Sequence, residues 1–299
     1  MTLVLLNPHA QGGRAARRIP ALRDWLTQHA PEAQLAAPEA LADSIAMLQA
    51  LPEGSRVVVV GGDGTLNRWL PTLLARRLSM GLVPMGSGND TARALGVFGL
   101  PWTQALPLAV QGPAQSMDTG LASWSDLQGI RHETPFLSSL TAGFDSAVGL
   151  RALNGPPWLR GLPRYLRATL HELIHLRTWD LTLHSDGQLK HQGACLFASS
   201  LNTPTFGSGM PAVPHARLTD GQLDALLAGT FDRLGVLLML PRLLIGQHLS
   251  HPRVSSWPYR QLEIACPQGV PLAADGEYLG QAQQATVSCQ AASLQVVRR

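Results

Sequence analysis

The sequence predicts an α/β fold, with an open α/β N-terminal domain followed by a β-rich, sandwich-like second domain. Three observations predict it. Val57 to Val60 is a run of four β-branched residues between Arg56 and a glycine cluster, the composition of a strand buried on both faces of a parallel sheet. Strand-like and helix-like stretches alternate up to about residue 115, as parallel βαβ units do. From Gln115 onward the pattern changes to runs with period-two alternation, which suits antiparallel strands.

Length and composition agree with two domains. The chain has 299 residues, more than the roughly 250 at which single cores stop growing, and 45% are hydrophobic, enough to fill real cores. A formal charge of +3 is too mild to suggest nucleic acid as a partner, while a basic face would suit an anionic membrane surface. Lys190 is the only lysine, so basic contacts to a phosphate must come from arginine, and no Gly-Lys-Ser/Thr phosphate loop exists. Cys195, Cys266 and Cys289 are far apart and odd in number, which argues against a disulfide framework or a Cys-based zinc site and for a reducing compartment. Leu3 to Leu6 is too short an apolar run for a signal peptide. Leu234 to Ile245, the longest apolar stretch, contains Pro241 and Arg242 and falls short of the roughly 20 residues a bilayer span needs. The protein is expected to be soluble or peripheral.

In chain order, Thr2 to Asn7 reads as the first strand, and Asn7-Pro8-His9-Ala10-Gln11-Gly12-Gly13 as a turn-rich loop. A helix follows from about Ala15 to His29 with Arg14, Arg17 and Arg18 at its start, where cations oppose the helix dipole; either an anion lies nearby or this is a solvated basic face. A short strand near Gln34 and a helix from about Ala40 to Leu51 lead to the valine strand. There Gly61, Gly62 and Gly64 surround Asp63, and a helix is expected from Leu66 to Arg77. Glycines here allow positive φ and close approach of a polyanion to backbone N–H groups, and the following helix would aim its positive end at the same spot, so the element reads as a phosphate site or as an ordinary strand-to-helix turn. Met80 to Pro84 is the next strand. It leads to Gly86-Ser87-Gly88-Asn89-Asp90-Thr91, a second phosphate-type loop in which Asp90 is either the N-cap of a helix over Ala92 to Leu95 or a ligand.

In the second domain, strands are expected at Phe136 to Ala142, at Trp179 to Leu201 with a hairpin at Asp186-Gly187, and at Gln222 to Phe231, Gln261 to Ala265 and Ala285 to Cys289. Helices are expected from Pro163 to Leu176 and from Leu234 to Gln247. His171-Glu172-Leu173-Ile174-His175 matches the zinc-protease helix pattern, but no glutamate follows before Glu263 to serve as third ligand. Asp275-Gly276-Glu277-Tyr278 reads by itself as a hairpin turn, and Asp220-Gly221 is equally ambiguous.

Taken together, Asn7-Pro8 with Gly12, Gly61-Gly62-Asp63-Gly64-Thr65-Leu66-Asn67, Pro84 with Gly86 to Asp90, Leu218 to Gly221 with Leu223-Asp224, and Asp275-Gly276-Glu277 stand in the order that resembles diacylglycerol-kinase-like enzymes, and most of all the bacterial lipid kinases related to sphingosine kinases. The Gly-Gly-Asp-Gly-Thr element alone also resembles NAD kinases and phosphofructokinases. Five motifs in register are far more specific.

The resemblance implies ATP and Mg²⁺ as cofactors. It implies that Gly61, Gly62, Asp63, Gly64, Thr65, Leu66, Asn67 and Ser87 surround the ATP phosphates, that Asp63 supports Mg²⁺, and that Glu277 is the general base on the acceptor hydroxyl. Arg14 is added as a basic contact to the phosphates. Arg217, Asp220 and Gln222 match a structural metal loop, the outer two through backbone carbonyls. Three departures stand out: Arg68 where a glutamate is usual, His215 and Thr219 where aspartates are common, and Ser138 where an asparagine is usual.

The reading is an ATP-dependent lipid kinase, with a nucleotide-binding α/β domain over residues 1–122, a β-rich substrate domain over 123–285, and a C-terminal strand over 286–299 returning to the first domain. The active site is expected in the cleft between the two. The acceptor would be a diacylglycerol-like, sphingoid or phosphatidylglycerol-like lipid alcohol. The protein would be cytoplasmic, with peripheral contact at the inner membrane surface, and the reading admits a homodimer. Phosphoryl transfer suits such residues because it needs charge neutralisation and positioning more than covalent help. The alternatives are an NAD kinase, a nucleotide-binding regulatory protein without catalysis, and a zinc hydrolase.

Overall fold

Four short apolar strands, β1 (Thr2–Leu6), β2 (Gln34–Ala36), β3 (Arg56–Gly61) and β4 (Ser79–Pro84), make a parallel sheet in the order β2-β1-β3-β4. Val58 lies between Val4 on one neighbour and Gly81 on the other. Val57 to Val60 are fully buried, as a central strand covered on both faces requires. The covering helices are α1 (Ile19–His29), α2 (Leu41–Ala50), α3 (Asp63–Ala75), α4 (Asp90–Ala94) and α5 (Trp102–Gln111). Leu22 and Leu26 of α1 and Leu106 and Ala109 of α5 share one core with Val58 and Val60. Gly81 lets α5 settle directly on β4, since a Cβ there would lie 2.4 Å from the carbonyl oxygen of Ala109.

The computed structural model describes residues 1–86, 88–156, 158–159 and 162–299. The chain divides into two compact units, Met1–Asp118 with Ala291–Arg299, and Thr119–Gln290, against boundaries at 122/123 and 285/286 read from the sequence. No helix among the described residues is long and apolar enough to cross a membrane.

The second unit is β-rich and sandwich-like. It contains most of β5 (Ala114–Asp126), then β6 (Arg131–Phe136), β7 (Ser139–Gly143), α6 (Phe144–Leu153), α7 (Leu162–Ile174), β8 (Trp179–Ser185), β9 (Gln188–Cys195), β10 (Phe197–Leu201), β11 (Leu223–Ala228), α8 (Arg233–Leu244), β12 (Val254–Tyr259), β13 (Gln261–Ala274) and most of β14 (Glu277–Val297). Its strands run in the order β12-β11-β10-β7-β13-β14, with β8 and β9 joined through β13 and β5 and β6 through β14. One core lies among the strands, around Phe136, Tyr259 and Leu262. A second packs α6, α7 and α8 around Phe144, Leu173, Leu226 and Val236.

The expected hairpin at Asp186-Gly187 is present, and both turn residues have positive φ, 49° and 78°. Other expectations shift. The stretch from Phe136 to Ala142 divides between the end of β6 and most of β7, and the two C-terminal strands are far longer than the five-residue runs expected. The last of them re-enters the first unit, where Gln295 and Val296 pair in parallel with Ser79 and Met80 of β4.

Candidate functional site

In the first unit the glycine-rich turn and the second glycine loop are built as one piece. Helix α3 starts at Asp63, three residues earlier than expected, because the carbonyl of Gly62 accepts the N–H groups of Thr65 at 2.9 Å and Leu66 at 3.1 Å. Gly62 is extended and Gly64 helical, and neither they nor Gly61 take the positive φ expected of them. Their missing Cβ atoms serve packing instead. A Cβ on Gly62 would stand 2.6 Å from the Cα of Gly86, and one on Gly61 would stand 2.8 Å from the Thr65 side chain. The backbones of the two loops therefore touch, and the N–H of Met85 donates to the carbonyl of Gly61 at 2.6 Å.

Asp90 is not the N-cap of α4 but its first helical residue; Asn89 holds the cap position with φ 56°, a conformation asparagine tolerates. Its side-chain amide turns back to the Gly86 carbonyl at 2.7 Å, so it leaves the first donors of α4 to another group. That group is Asp63, whose carboxylate accepts the N–H of Asp90 at 3.1 Å and of Thr91 at 3.3 Å. Burial, and then the neighbouring Asp90 charge, push the Asp63 carboxyl above the usual range, while the two N–H donors pull it back.

Asn7 joins the same piece by donating to the Thr65 hydroxyl at 2.8 Å. Leu66 is buried, so only its backbone can meet a ligand, whereas Asn67 is half-buried and Arg68 exposed. The loop after Asn7 has left-handed backbone at Gln11, Gly12 and Gly13 and is followed by Arg14, Arg17 and Arg18, all exposed. The expected helix from Ala15 begins as a short helical turn, and α1 proper starts at Ile19. Ser87 lies outside the described residues. Only Asp63 and Gly64 precede the bonded N–H groups of Thr65 and Leu66 in α3, and donors at that position lack intrahelical acceptors by helix geometry, so the turn sets helix-opening N–H groups beside one carboxylate, an arrangement that suits phosphate and a hard cation.

In the second unit Asp275 and Gly276 form a two-residue hairpin, with φ of 48° and 84°, so the turn reading of this motif is right as geometry. The aspartate does more than turn the chain. Its carboxylate accepts three consecutive backbone N–H groups, Leu137 at 2.9 Å, Ser138 at 2.7 Å and Ser139 at 3.0 Å. The same segment is held from its other side, where the Asn202 amide donates to the Leu137 carbonyl at 2.9 Å and the Ser138 and Thr203 hydroxyls lie 2.7 Å apart. Glu277 follows the clamped turn as the first residue of β14, opposite Ala274, and is half-buried.

Asp145 is a group the sequence reading missed. It lies in the first turn of α6, just after Gly143, whose φ is 115°. Burial pushes its carboxyl up to about 7, and the Ser199 hydroxyl 3.4 Å away only partly offsets this. A Gly-Phe-Asp at a strand-to-helix junction is the signal that marks it.

Arg217 and Asp220 are exposed, and the Asp220 carboxylate accepts the N–H of Gln222 at 3.1 Å across a turn with positive φ at Gly221. His215 lies 3.4 Å from the buried Asp224. No group of three or more His, Cys, Asp or Glu able to hold a metal occurs among the described residues. The zinc-helix pattern resolves into packing and an ion pair. Glu172 is buried and paired with Arg151, and His171 and His175 stack on each other with ring centroids 4.7 Å apart.

Comparisons with known proteins bear on both units. Residues 1–122 match the model of the Diacylglycerol kinase catalytic domain, and residues 138–298 match that of the YegS C-terminal NAD kinase beta sandwich-like domain. A diacylglycerol kinase of Mycobacterium tuberculosis is 34% identical over 245 residues, covering 81% of this chain and 76% of that protein. The crystal structure of a diacylglycerol kinase from Bacillus anthracis str. Sterne aligns with a TM-score of 0.73 and 16% identity, over 100% of this chain and 96% of that one. An NAD kinase from Archaeoglobus fulgidus in complex with ATP aligns with a TM-score of 0.55 and 11% identity, over 100% of this chain and 94% of that one, a likeness of fold alone.

Proposed function

The chain belongs to the diacylglycerol kinase family of lipid kinases, and from that membership we propose that it transfers the γ-phosphoryl group of ATP to a hydroxyl of a diacylglycerol-like, sphingoid or phosphatidylglycerol-like lipid. Diacylglycerol stands first among these because the relative at 34% identity carries that name. The observation that carries the reading is the pair of glycine loops in backbone contact and tied together by Asp63, within the residues matched to the catalytic domain.

In this reading the turn from Gly61 to Asn67, with the N–H groups that open α3, surrounds the ATP phosphates together with Ser87 and the exposed Arg14. Asp63 keeps lone pairs beyond those its two N–H donors use, so it remains able to hold Mg²⁺. Such an ion neutralises charge on the transferring group. Glu277 takes the proton of the acceptor hydroxyl, and the Asp275 clamp fixes where that carboxylate stands. We further propose that the Asp220 carboxylate and the Arg217 and Gln222 carbonyls hold a structural cation, an all-oxygen set that suits a hard ion. The lipid is met peripherally, at the cytoplasmic face of the membrane.

The test is incubation with ATP, Mg²⁺ and, separately, diacylglycerol, sphingosine, phosphatidylglycerol and NAD. Phosphorylated lipid is expected. Phosphorylated NAD would replace the reading with an NAD kinase, and ATP binding without any product would favour a regulatory protein.

A further inference from the structure

Helix α6 carries a carboxyl that the proposed transfer does not use. Asp145 stands in the first turn, and the Ser199 hydroxyl at 3.4 Å is its one hydrogen-bond partner among the described residues. Ser146, next in the chain, turns elsewhere and donates its hydroxyl to the Thr141 carbonyl at 2.7 Å. Burial and Ser199 alone set the acidity of Asp145, so no charged side chain acts on it among the described residues. A carboxylate has about four lone-pair sites, and one long hydrogen bond leaves most of them unused. Unused polar capacity away from bulk water is costly unless a partner arrives to meet it.

The same face of α6 opens one turn further on. Gly149 is four residues after Asp145, so the two share a face with Cβ positions about 6 Å apart. A Cβ on Gly149 would meet no heavy atom within 4 Å outside its own stretch of helix. Asp145 keeps part of its surface open although protein atoms crowd it enough to desolvate it, so it lines a recess rather than an exposed face. α6 packs on β7 and β13. Thr141 of β7 stands opposite Ala273 of β13, whose neighbour Ala274 stands opposite Glu277. Two strand spacings, roughly 10 Å, therefore lie between Thr141 and the strand of Glu277, a span that a lipid head group and two side chains can fill.

We propose that Asp145 is a specificity-determining residue: with the open space at Gly149 it receives the polar groups beside the reacting hydroxyl of an uncharged lipid alcohol, and it turns away phospholipids whose head group is an anion. This rests on the lipid-kinase reading. A carboxyl raised to about 7 exists in both forms at neutral pH, so it accepts from a hydroxyl when ionised and donates to an ester carbonyl when protonated. A phosphodiester fares worse. It would hold Asp145 in the protonated form, and its own charge would find no cation there, in a site where charges interact more strongly than in water. Of the acceptors considered, diacylglycerol fits the recess and phosphatidylglycerol does not.

The test compares turnover of dioctanoylglycerol and of dioctanoyl phosphatidylglycerol in one detergent by the native chain, G149L and D145N, with calorimetric binding of the soluble dibutyrylglycerol alongside. Leucine favours a helix over glycine, so G149L should melt at or above the native temperature while its side chain fills the open space. Its KM for dioctanoylglycerol should rise at least about tenfold with KM for ATP unmoved, since the lost contact is one of binding. D145N removes the negative charge and should shift the ratio of kcat/KM between the two lipids at least about tenfold toward phosphatidylglycerol. A merely structural Asp145 would move the melting temperature and leave this ratio alone. Native KM in G149L together with the native lipid ratio in D145N overturns the proposal and leaves the kinase reading standing. So does a native chain that prefers phosphatidylglycerol. A native chain that phosphorylates no lipid yet binds dibutyrylglycerol, with binding lost in G149L, keeps the recess and removes the kinase reading; one that neither phosphorylates nor binds removes both.

Discussion

Asp63 accepts the backbone N–H of Asp90 at 3.1 Å, so a carboxylate in the first turn of α3 holds the start of α4, 27 residues further along the chain. The residue proposed to serve the phosphate chemistry is also the clamp between the two glycine loops.

These two roles separate under mutation. Asp63→Ala should destabilise the protein by about 1–3 kcal/mol through the lost cap. Asp63→Asn keeps one side-chain acceptor and removes a buried like charge next to Asp90, so its melting temperature should stay close to native while kcat falls sharply. An Asp63→Asn enzyme with native kcat would leave Asp63 as a helix cap and nothing more.

Adjacent carboxylates of one hairpin should fail differently. Glu277→Gln should lower kcat by roughly 10²- to 10⁴-fold with ATP affinity retained and stability moved by no more than about 0.5 kcal/mol. Asp275→Ala strands three backbone donors and should cost about 2–4 kcal/mol, read as a lower melting temperature. If Glu277→Gln turns over lipid at the native rate, the glutamate is a strand residue only.

The loop contact at Gly62 sets a steric limit. Gly62→Ala pushes a methyl group against the Gly86 backbone, where no flexible side chain can give way, and should cost about 1–3 kcal/mol. Apparent KM for ATP should rise with it. Native stability and native KM together would mean that the two loops do not need to touch.

Asp145 makes stability depend on pH in a defined direction. Its carboxyl is raised from 3.8 to about 7 in the fold, so between these values the native state holds a proton that the unfolded state has lost. Stability is then full below 3.8, falls as pH rises through the window, and levels off above about 7. Asp145→Asn should remove this slope. Melting curves of both proteins across the window decide it, and equal slopes would sink the assignment.

What could be read beforehand was whatever is encoded locally. The valine run and the Asp-Gly hairpins carry their conformation within a few residues, whereas Gly62 answers to the backbone of Gly86. The helix α5 was missed because Pro107 lies inside it, and β12 because Pro258 sits in a strand that can accept proline only at an edge, where it pairs with β11 alone. Gly120 interrupts β5 for a reason visible only across the sheet, since a Cβ there would strike the ring of Phe136 on the neighbouring strand. The site shows the same limit. Asp63 and Glu277 stand in recognisable motifs, but the donors that Asp63 caps lie far along the chain, and the segment Asp275 clamps lies 136 to 138 residues away. A carboxylate's partners at that distance leave no trace in spacing.

The pairing of Gln295 and Val296 with β4 bears on the order in which the protein comes together during synthesis. The second unit is one uninterrupted segment, whereas the first is assembled from both sides of it. As the chain leaves the ribosome, the first unit's residues up to Asp118 must wait, with one edge of β4 open, until 172 residues of the other unit have been made and residues 291–299 emerge. Residues 291–299 close a sheet whose other strands were made well before them, so even a short deletion here would leave the first unit with an exposed strand edge.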